Sequence, residues 1–228
     1  MDQQINLNAL IKMVILRFGM FFVVMGLMFF LPAGNFNYWE AWLYMAILVT
    51  PIVIFLFYLI KHDPELLERR MRTKEKESQQ KTITKIGSLI FILIYLIPGF
   101  DQRYGWSSVP IAIIIIADII VFLGYLLFIH VLLENSYASR VVEVEQQQKV
   151  ITTGPYKIVR HPLYLAVLLM YSFGPLALDS YWAMIGSVLL ILILVARIKN
   201  EEKVLSKELD GYQNYLEKTK YRLVPGIW

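Results

Sequence analysis

The sequence predicts an all-α, polytopic integral membrane protein with about six membrane helices and a cytosolic C-terminal amphipathic helix. Hydrophobic residues make up 57% of the 228 residues, and the mean hydropathy is +0.55. Long uncharged runs recur along the chain, which is typical of membrane helices rather than of a soluble core. We expect a single membrane domain over 1–228, with four leading helices in 1–133 and a cofactor-binding catalytic part in 134–228.

The apolar runs define the predicted helices in order. The first covers about 10–31, and the second, Ala41 to Ile60, has no charged residue over the length that a membrane helix needs. The third and fourth cover about 83–100 and 109–133. The last two, 163–178 and 181–196, are short, and Asp179-Ser180 predicts a tight turn between them. They form a hairpin that either spans or re-enters the membrane.

Lysine and arginine are distributed very unevenly between the two sides of these helices. The N-terminal side and segments 61–85, 134–160 and 197–228 hold 21 of the 22 basic residues, whereas the opposite side holds only Arg103. The positive-inside rule then places both termini and the later polar clusters in the cytosol, with the chain in the inner (cytoplasmic) membrane. The net charge of +4 follows from these loops; it suits an anionic membrane surface and gives no indication of nucleic acid.

Two further features concern the polar residues outside the apolar runs. Segment 61–82 mixes seven basic and five acidic residues, which predicts a solvated amphipathic helix. The chain has no cysteine, so it has no disulfide, thiolate metal site or cysteine nucleophile. Its three histidines show no metal-ligand spacing, so we expect no catalytic metal.

A first polar cluster runs from Gly154 to Tyr164, directly before the fifth apolar run. Gly154-Pro155 is a turn signal, and Pro162 suits the first turn of a helix, so His161-Pro162 is expected to open that helix. Arg160 and the free N–H groups of the first turn would then attract an anion at the membrane interface. The alternative is that these Arg, His and Tyr side chains are membrane anchors.

A second cluster leaves the sixth apolar run. On a helix, Arg197, Glu201 and Leu205 share one face because they are four residues apart. They form either a plain ion pair or two separate ligand contacts, in which Glu201 accepts hydrogen bonds and Arg197 holds a carboxylate. Downstream, Tyr212, Tyr215 and the ending 221–228 predict an interfacial helix followed by a tail that folds back.

Two polar residues near the fourth helix complete the candidate set. Asp118 lies deep in the apolar run, where an ionisable group is expensive and is a functional candidate by default. It either points into a substrate cavity or caps a packing contact. Asn135 follows the helix at the membrane boundary, where it is a candidate contact for cofactor or substrate.

Four motifs occur in this order: Gly-x-Tyr-x-x-x-Arg-His-Pro-x-Tyr, Arg-x-x-x-Glu-Glu-x-x-Leu, Tyr-x-x-Tyr and a Val-Pro-Gly-Ile ending. Together they resemble the isoprenylcysteine carboxyl methyltransferase family, which consists of integral membrane enzymes related to phospholipid methyltransferases. The resemblance covers about 134–228, and Asp63 to Arg69 resembles a bacterial branch. It departs from the family pattern at Ala166, where glycine is usual, and at Asp210-Gly211.

The resemblance implies S-adenosylmethionine as cofactor, S-adenosylhomocysteine as product and a lipophilic acceptor that enters from the bilayer. The catalytic residues it implies are Arg197, Glu201 and His161. The cofactor-binding residues it implies are Glu143, Gln148, Lys149, Val150, Ile151, Tyr156, Arg160, His161, Pro162, Leu163, Tyr164, Glu201 and Glu202. The substrate contacts are Arg197 by resemblance, with Asp118 and Asn135 as candidates from their positions.

The chemistry of methyl transfer agrees with these residues, which include no cysteine and no metal-ligand pattern. The reaction needs no metal and no enzyme nucleophile, only alignment of the reactants and exclusion of water. One rival interpretation is an NADPH-dependent membrane reductase of the steroid-reductase type, which carries an Arg-x-Pro-x-Tyr-like motif. The other is a non-enzymatic membrane scaffold or a transporter. The acceptor, a carboxylate of an isoprenylcysteine-like or other isoprenoid or lipid molecule, is left open by the sequence.

Overall fold

The computed structural model describes residues 6–73, 78–145 and 147–228. Within these ranges the chain forms eight α-helices, one 3-10 helix (Gly154–Lys157) and no strand, which confirms the all-α class. The α-helices are α1 (Leu7–Ala33), α2 (Trp39–His62), α3 (Pro64–Met71), α4 (Ser78–Tyr104), α5 (Ile111–Glu134), α6 (Pro162–Ala177), α7 (Met184–Glu208) and α8 (Tyr212–Lys218).

Four of the described helices, α1, α2, α4 and α5, are long and apolar enough to cross a bilayer. Between 22% and 33% of each apolar window is buried inside the protein, so most of these side chains face outward, as Leu31 and Ile54 do. Outward-facing apolar side chains over this length match the hydrocarbon core of a membrane. The chain is therefore an integral membrane protein.

The first of the last two apolar runs forms a helix of the predicted length, and the second forms a helix that is longer than predicted. Helix α6 has 16 residues, and the predicted turn is present, with Asp179 at φ +55° and the N–H of Ser180 bonded to the carbonyl of Pro175. Helix α7 continues through the charged cluster to Glu208 as one helix of 25 residues, about 37 Å long. Arg197 and Glu201 are therefore presented from the end of the same helix that carries the sixth apolar run.

The prediction of a single helix over 61–82 is wrong within the described residues. Helix α2 ends at His62, and Asp63 caps α3 by accepting a hydrogen bond from the N–H of Leu66 (2.9 Å). Pro64 occupies the first turn of α3, where its missing N–H costs nothing. Residues 74–77, the middle of the predicted helix, lie outside the described residues.

Small residues allow the helices to approach closely around an aromatic core. A Cβ at Gly124 of α5 would lie 3.3 Å from the carbonyl oxygen of Ala166 in α6, and one at Gly186 of α7 would lie 2.5 Å from Ile94 of α4. Such approaches maximise packing between helices in lipid, where burial of apolar surface drives association little. Phe29 and Tyr95 belong to the central core, between α1 and α4.

Polar side chains hold the two ends of this bundle. At one end, the Asp101 carboxylate accepts hydrogen bonds from the hydroxyls of Ser107 and Ser180, each at 2.6 Å. At the other end, Gln80 donates to the side-chain oxygen of Asn200 (2.7 Å), which joins α4 to α7. The second end also carries the segments between α5 and α6 and after α7, and the candidate site lies there.

Candidate functional site

A cavity of about 120 Å³ lies where the ends of α5, α6 and α7 meet the 135–153 segment and α8. Most of the predicted site residues line it together, although they come from four separate parts of the chain. The predicted residues that line it are Asn135, Glu143, Gln148, Lys149, Val150, Ile151, Tyr156, Arg160, His161, Leu163, Tyr164, Arg197 and Glu201. Among the described residues, no three His, Asp or Glu side chains are grouped as metal ligands.

The centre of the site is a hydrogen-bonded chain from α7 to α6 and back. The Nε of Arg197 donates to the Tyr164 hydroxyl (2.9 Å), and that hydroxyl donates to Glu201 Oε2 (2.5 Å). Arg197 also donates to Thr84 of α4 (3.0 Å) and to the carbonyl oxygen of Arg140 (2.9 Å). The predicted shared face is confirmed, but Tyr164 stands between the two charges and fixes the position of both.

Glu202, next to Glu201, faces away from the cavity and pairs with positively charged side chains. Arg160 Nη1 donates to its Oε1 (3.2 Å) and Arg222 Nε to its Oε2 (2.7 Å), while His161 Nε2 lies 3.4 Å from Oε1 without hydrogen-bond geometry. Burial alone would raise the pKa of Glu202, but His161, Arg222 and Arg160 outweigh it and lower the pKa from 4.5 to about 2. Glu202 therefore holds the last segment of the chain against α6 and α7.

The lowered pKa of Glu202 predicts a pH-dependent stability. Its charge stabilises the folded chain above about pH 4.5, and that stabilisation is lost as the pH falls towards the folded-state pKa of about 2. We expect the melting temperature in detergent to fall more steeply over this window for the wild type than for Glu202→Gln, which cannot titrate there. Equal slopes for the two proteins would contradict this assignment.

Helix α6 starts at Pro162 as predicted, but the polar groups just before it bind the C-terminal tail of the chain. Helix α6 begins at Pro162 with His161 as its N-cap residue. The backbone N–H groups of Arg160 and His161 donate to the carbonyl oxygens of Tyr221 and Arg222, both at 2.9 Å. The Arg160 guanidinium donates to backbone carbonyls near the end of α8. These two N–H groups precede the first turn of α6, and together with the Arg160 side chain they bind the chain's own carbonyl oxygens and so hold the tail in place.

Tyrosines from two helices form an aromatic wall of the cavity. The side-chain amide of Asn135 donates to the Tyr156 hydroxyl (2.9 Å), and the Tyr215 hydroxyl donates to the Tyr156 carbonyl (2.8 Å). Burial raises the pKa of Tyr156 and of Tyr212, so both hydroxyls are neutral. Within the described residues, the Tyr212 hydroxyl and His161 Nε2 are buried without a hydrogen-bond partner. Buried polar atoms of this kind are candidates for binding a polar ligand.

The segment that closes the cavity is held by α3, which the sequence did not indicate. Arg72 Nη1 donates to Glu143 Oε1 (2.8 Å) and also pairs with Glu145. Arg69 donates to the carbonyl oxygen of Ser136 (2.8 Å). Glu143 lines the cavity, but its carboxylate is engaged by Arg72, so its expected contact with the cofactor is not supported by its position. The Arg69-Arg70-Met71-Arg72 run was the available signal for this contact.

Loss of the Arg72 contact is expected to loosen the 141–151 segment. The cavity is smaller than the 300–1,000 Å³ of ordinary ligand sites, so this segment must move for a ligand of that size to enter. In Arg72→Ala, we expect amide hydrogen exchange in 141–151 to become about fivefold faster, since partly exposed ion pairs contribute about 1 kcal/mol. Lys81→Ala, an exposed cation on α4, is the control. Unchanged exchange in Arg72→Ala would show that this ion pair does not hold the segment.

Three predicted site residues lie elsewhere: Glu202, which faces away from the cavity as described above, Asp118 and Pro162. Asp118 is buried in the middle of α5, does not line the cavity, and neither of its carboxylate oxygens has a hydrogen-bond partner among the described residues. Pro162 shapes the start of α6 without lining the cavity. The sequence also missed Tyr212, Tyr215 and Ser139, which do line it.

Comparison with known proteins agrees with this geometry. No curated protein sequence matches the chain. Residues 113–207 match the model of the isoprenylcysteine carboxyl methyltransferase (ICMT) family. The matched segment runs from the start of α5 to the end of α7 and so includes the Tyr164, Arg197 and Glu201 chain of hydrogen bonds. This match covers 95 of the 228 residues, and over it the chain is similar to the isoprenylcysteine carboxyl methyltransferase family.

Proposed function

We propose that this membrane protein is a methyltransferase that uses S-adenosylmethionine to methylate a lipophilic acceptor, in the manner of a protein-S-isoprenylcysteine O-methyltransferase. The observation that carries the proposal is the Arg197–Tyr164–Glu201 chain of hydrogen bonds at the edge of a polar cavity. This chain of hydrogen bonds lies where the ends of the membrane helices meet a polar pocket. Such a place suits a reaction between a polar cofactor and an apolar acceptor.

The residues of the cavity fit S-adenosylmethionine chemically. The cofactor carries an amino group, ribose hydroxyls and an adenine ring. Glu201, which is half-buried beside the cavity, is a suitable acceptor for hydrogen bonds from the amino or hydroxyl groups. His161 Nε2 and the Tyr212 hydroxyl are buried polar atoms without a partner in the described structure. The Tyr156 and Tyr215 rings offer faces on which a base can stack.

The chain's own residues position the reactants. S-adenosylmethionine, when bound, supplies an electrophilic methyl group, which an acceptor lone pair takes as the C–S bond breaks and its electron pair stays on sulfur. Arg197 orients the Tyr164 hydroxyl, and Tyr164 in turn orients the Glu201 carboxylate. Residues from 135–143 and 148–151 line one side of the cavity, where they would exclude water from a bound cofactor. Catalysis then follows from alignment and desolvation, and needs no side-chain nucleophile.

We further propose that α6 and the apolar part of α7 complete six membrane helices. The predicted division into 1–133 and 134–228 would then separate the leading helices from the catalytic part. The cavity lies at the end of the bundle that carries nearly all lysine and arginine residues, which supports a cytosolic site, cytosolic termini and the inner membrane.

Ligand-dependent stability of the purified protein tests the cofactor. We expect S-adenosylhomocysteine to raise the melting temperature in detergent and NADPH to leave it unchanged. Glu201→Ala should lose this response, whereas Lys203→Ala, an exposed residue on the same helix, should keep it. A response to NADPH alone would favour a reductase, and a response to neither ligand would contradict the methyltransferase.

The acceptor is identified by transfer of labelled methyl groups. Membranes from cells with and without the protein are supplied with methyl-labelled S-adenosylmethionine, and lipids and proteins are compared by mass spectrometry. We expect a labelled lipophilic product only where the protein is present. A label that is confined to water-soluble products would contradict a bilayer-derived acceptor.

A further inference from the structure

Gln80 of α4 is a polar residue that the proposed site has not used. Its side chain is completely buried, whereas its neighbour Lys81 is exposed. Its Nε2 donates to the side-chain oxygen of Asn200 on α7 (2.7 Å), and Asn200 in turn donates to Gln79 Oε1 (2.7 Å). The Oε1 of Gln80 is buried without a hydrogen-bond partner among the described residues. A buried amide that is only partly satisfied is costly, so stability alone does not account for it.

Elsewhere, α4 and α7 pack through small residues that leave the rotation of one helix against the other undetermined. A Cβ at Gly186 would lie 2.5 Å from Ile94, and one at Gly87 would lie 3.5 Å from Ile193. Such contacts bring the helices close, but van der Waals packing has no preferred direction. A hydrogen bond does have one, and a single buried asparagine is enough to fix the register of two packed helices. The Gln80–Asn200 amide pair is therefore suited to fix the rotation of α7 against α4.

The amide pair lies on the same turn of α7 as the site residues. Asn200 is three residues after Arg197 and directly before Glu201, both of which line the cavity. Thr84, one turn after Gln80 on α4, accepts a hydrogen bond from Arg197 Nη1 (3.0 Å). Helix α4 thus binds this turn of α7 at two levels. Neither Gln80 nor Asn200 is among the described residues that line the cavity, so both act on the site only through α7.

A small rotation of α7 is enough to disturb the site. Arg197 and Glu201 both bind the Tyr164 hydroxyl, at 2.9 and 2.5 Å. With its side chains, a helix has a radius of about 5–6 Å, so a rotation of about 10° moves a side-chain atom by about 1 Å. A shift of this size lengthens both hydrogen bonds beyond the usual range. Misplacement by about 1 Å can lower the rate of a reaction about 100-fold.

We propose that Gln80 and Asn200 are positioning residues, and that their amide pair fixes the rotation of α7. This rotation presents Arg197 and Glu201 to Tyr164. What the site then catalyses rests on the proposed methyl transfer, whereas the fixed rotation does not. Gln80 lies outside residues 113–207, so the family match does not account for this contact.

Replacing both amides by leucine separates their effect on rotation from their effect on stability. In Gln80→Leu/Asn200→Leu (the leucine pair), both hydrogen-bonding partners are removed together, so we expect a melting temperature in detergent equal to or above that of the wild type. Methyl transfer should nevertheless fall about 10- to 100-fold, because α7 is free to rotate. Each single change leaves a buried partner without its hydrogen bond, so it should lower the melting temperature more than the leucine pair does.

Two further variants complete this experiment. Gln80→Asn/Asn200→Gln (the exchanged pair) keeps the combined length of the two side chains, so it should restore most of the rate that Gln80→Asn alone loses. Lys81→Leu is the matched control on the exposed side of α4, and it should leave the rate and the melting temperature unchanged. The proposal is overturned if the leucine pair keeps the wild-type rate, or if the exchanged pair is as slow as Gln80→Asn. Should the leucine pair not fold, the exchanged pair decides.

The rotation of α7 is also measurable without cofactor or acceptor. The chain has no cysteine, so Ile158→Cys and Lys199→Cys, both at exposed positions, take two spin labels without background. We expect a narrow distribution of distances between the labels, a broader one in the leucine pair, and the narrow one again in the exchanged pair. Equal widths in all three proteins would overturn the fixed rotation, whatever their activity. Widths that differ as expected in a protein without methyl transfer would contradict the proposed function alone.

Discussion

Replacing Glu202 by alanine is expected to lower the stability of the folded chain by about 3–5 kcal/mol, the usual cost of breaking a buried ion pair. Glu202 accepts hydrogen bonds from Arg160 and Arg222. Without it, the buried guanidinium of Arg160, the partly exposed guanidinium of Arg222 and the adjacent imidazole of His161 lose the carboxylate that they share. We expect a drop in melting temperature of roughly 10 °C or more in detergent, together with faster proteolysis of residues 219–228.

The neighbouring residue provides the control for this change. Glu201 is also a carboxylate on α7, but its described hydrogen bond is to the neutral Tyr164 hydroxyl. Glu201→Ala should therefore lower the melting temperature by only a few degrees while it abolishes the response to S-adenosylhomocysteine. Equal destabilisation by both changes would show that Glu202 is not the residue that holds the tail.

Replacing Arg197 by alanine is expected to lower kcat/KM for methyl transfer at least about 100-fold, because misplacement of a reacting group by about 1 Å costs this much. Arg197 binds Tyr164, Thr84 and the Arg140 carbonyl at once, so its loss frees three elements around the site. The rate is measured with the labelled donor and the acceptor that the labelling experiment identifies.

The Arg197 result is interpreted with two further variants. Lys199→Ala removes an exposed charge from the same helix and should leave the rate unchanged. Arg197→Lys keeps the charge but cannot contact three acceptors in one plane, so we expect it to recover only a small part of the rate. Full activity in Arg197→Lys would mean that charge alone, and not the hydrogen-bonded arrangement, is what the site requires.

Local patterns in the sequence predict much of the fold and of the site. The apolar runs predict α1, α2, α4 and α5 because each run is long enough to form a helix in lipid. Pro162 predicts the start of α6 because proline fits the first helical turn. The four-residue spacing of Arg197 and Glu201 predicts their shared face, since helical periodicity determines it.

The parts that the sequence did not predict are contacts between distant residues. Arg72 and Glu143 are joined across 71 positions, and no periodicity relates them. The sequence predicts a tail that folds back, but not its contact with Arg160, because that contact is made to backbone carbonyl groups, which every residue type offers. Asp118 was a site candidate because of its depth in the membrane, but depth alone does not specify which cavity a side chain reaches.

The asparagine and aspartate contacts at the two ends of the bundle differ in what they allow. Asp101 accepts hydrogen bonds from both the α4–α5 connection and the α6–α7 turn, so these parts shift together as one rigid body. The opposite end is joined by the softer amide contact of Gln80 with Asn200. Any gap that opens between the helices would therefore be narrow at the Asp101 end and wider at the Gln80 end. A long-chain molecule would then slide in with its polar end at the broad edge, and the narrow edge would limit how long its hydrocarbon tail can be.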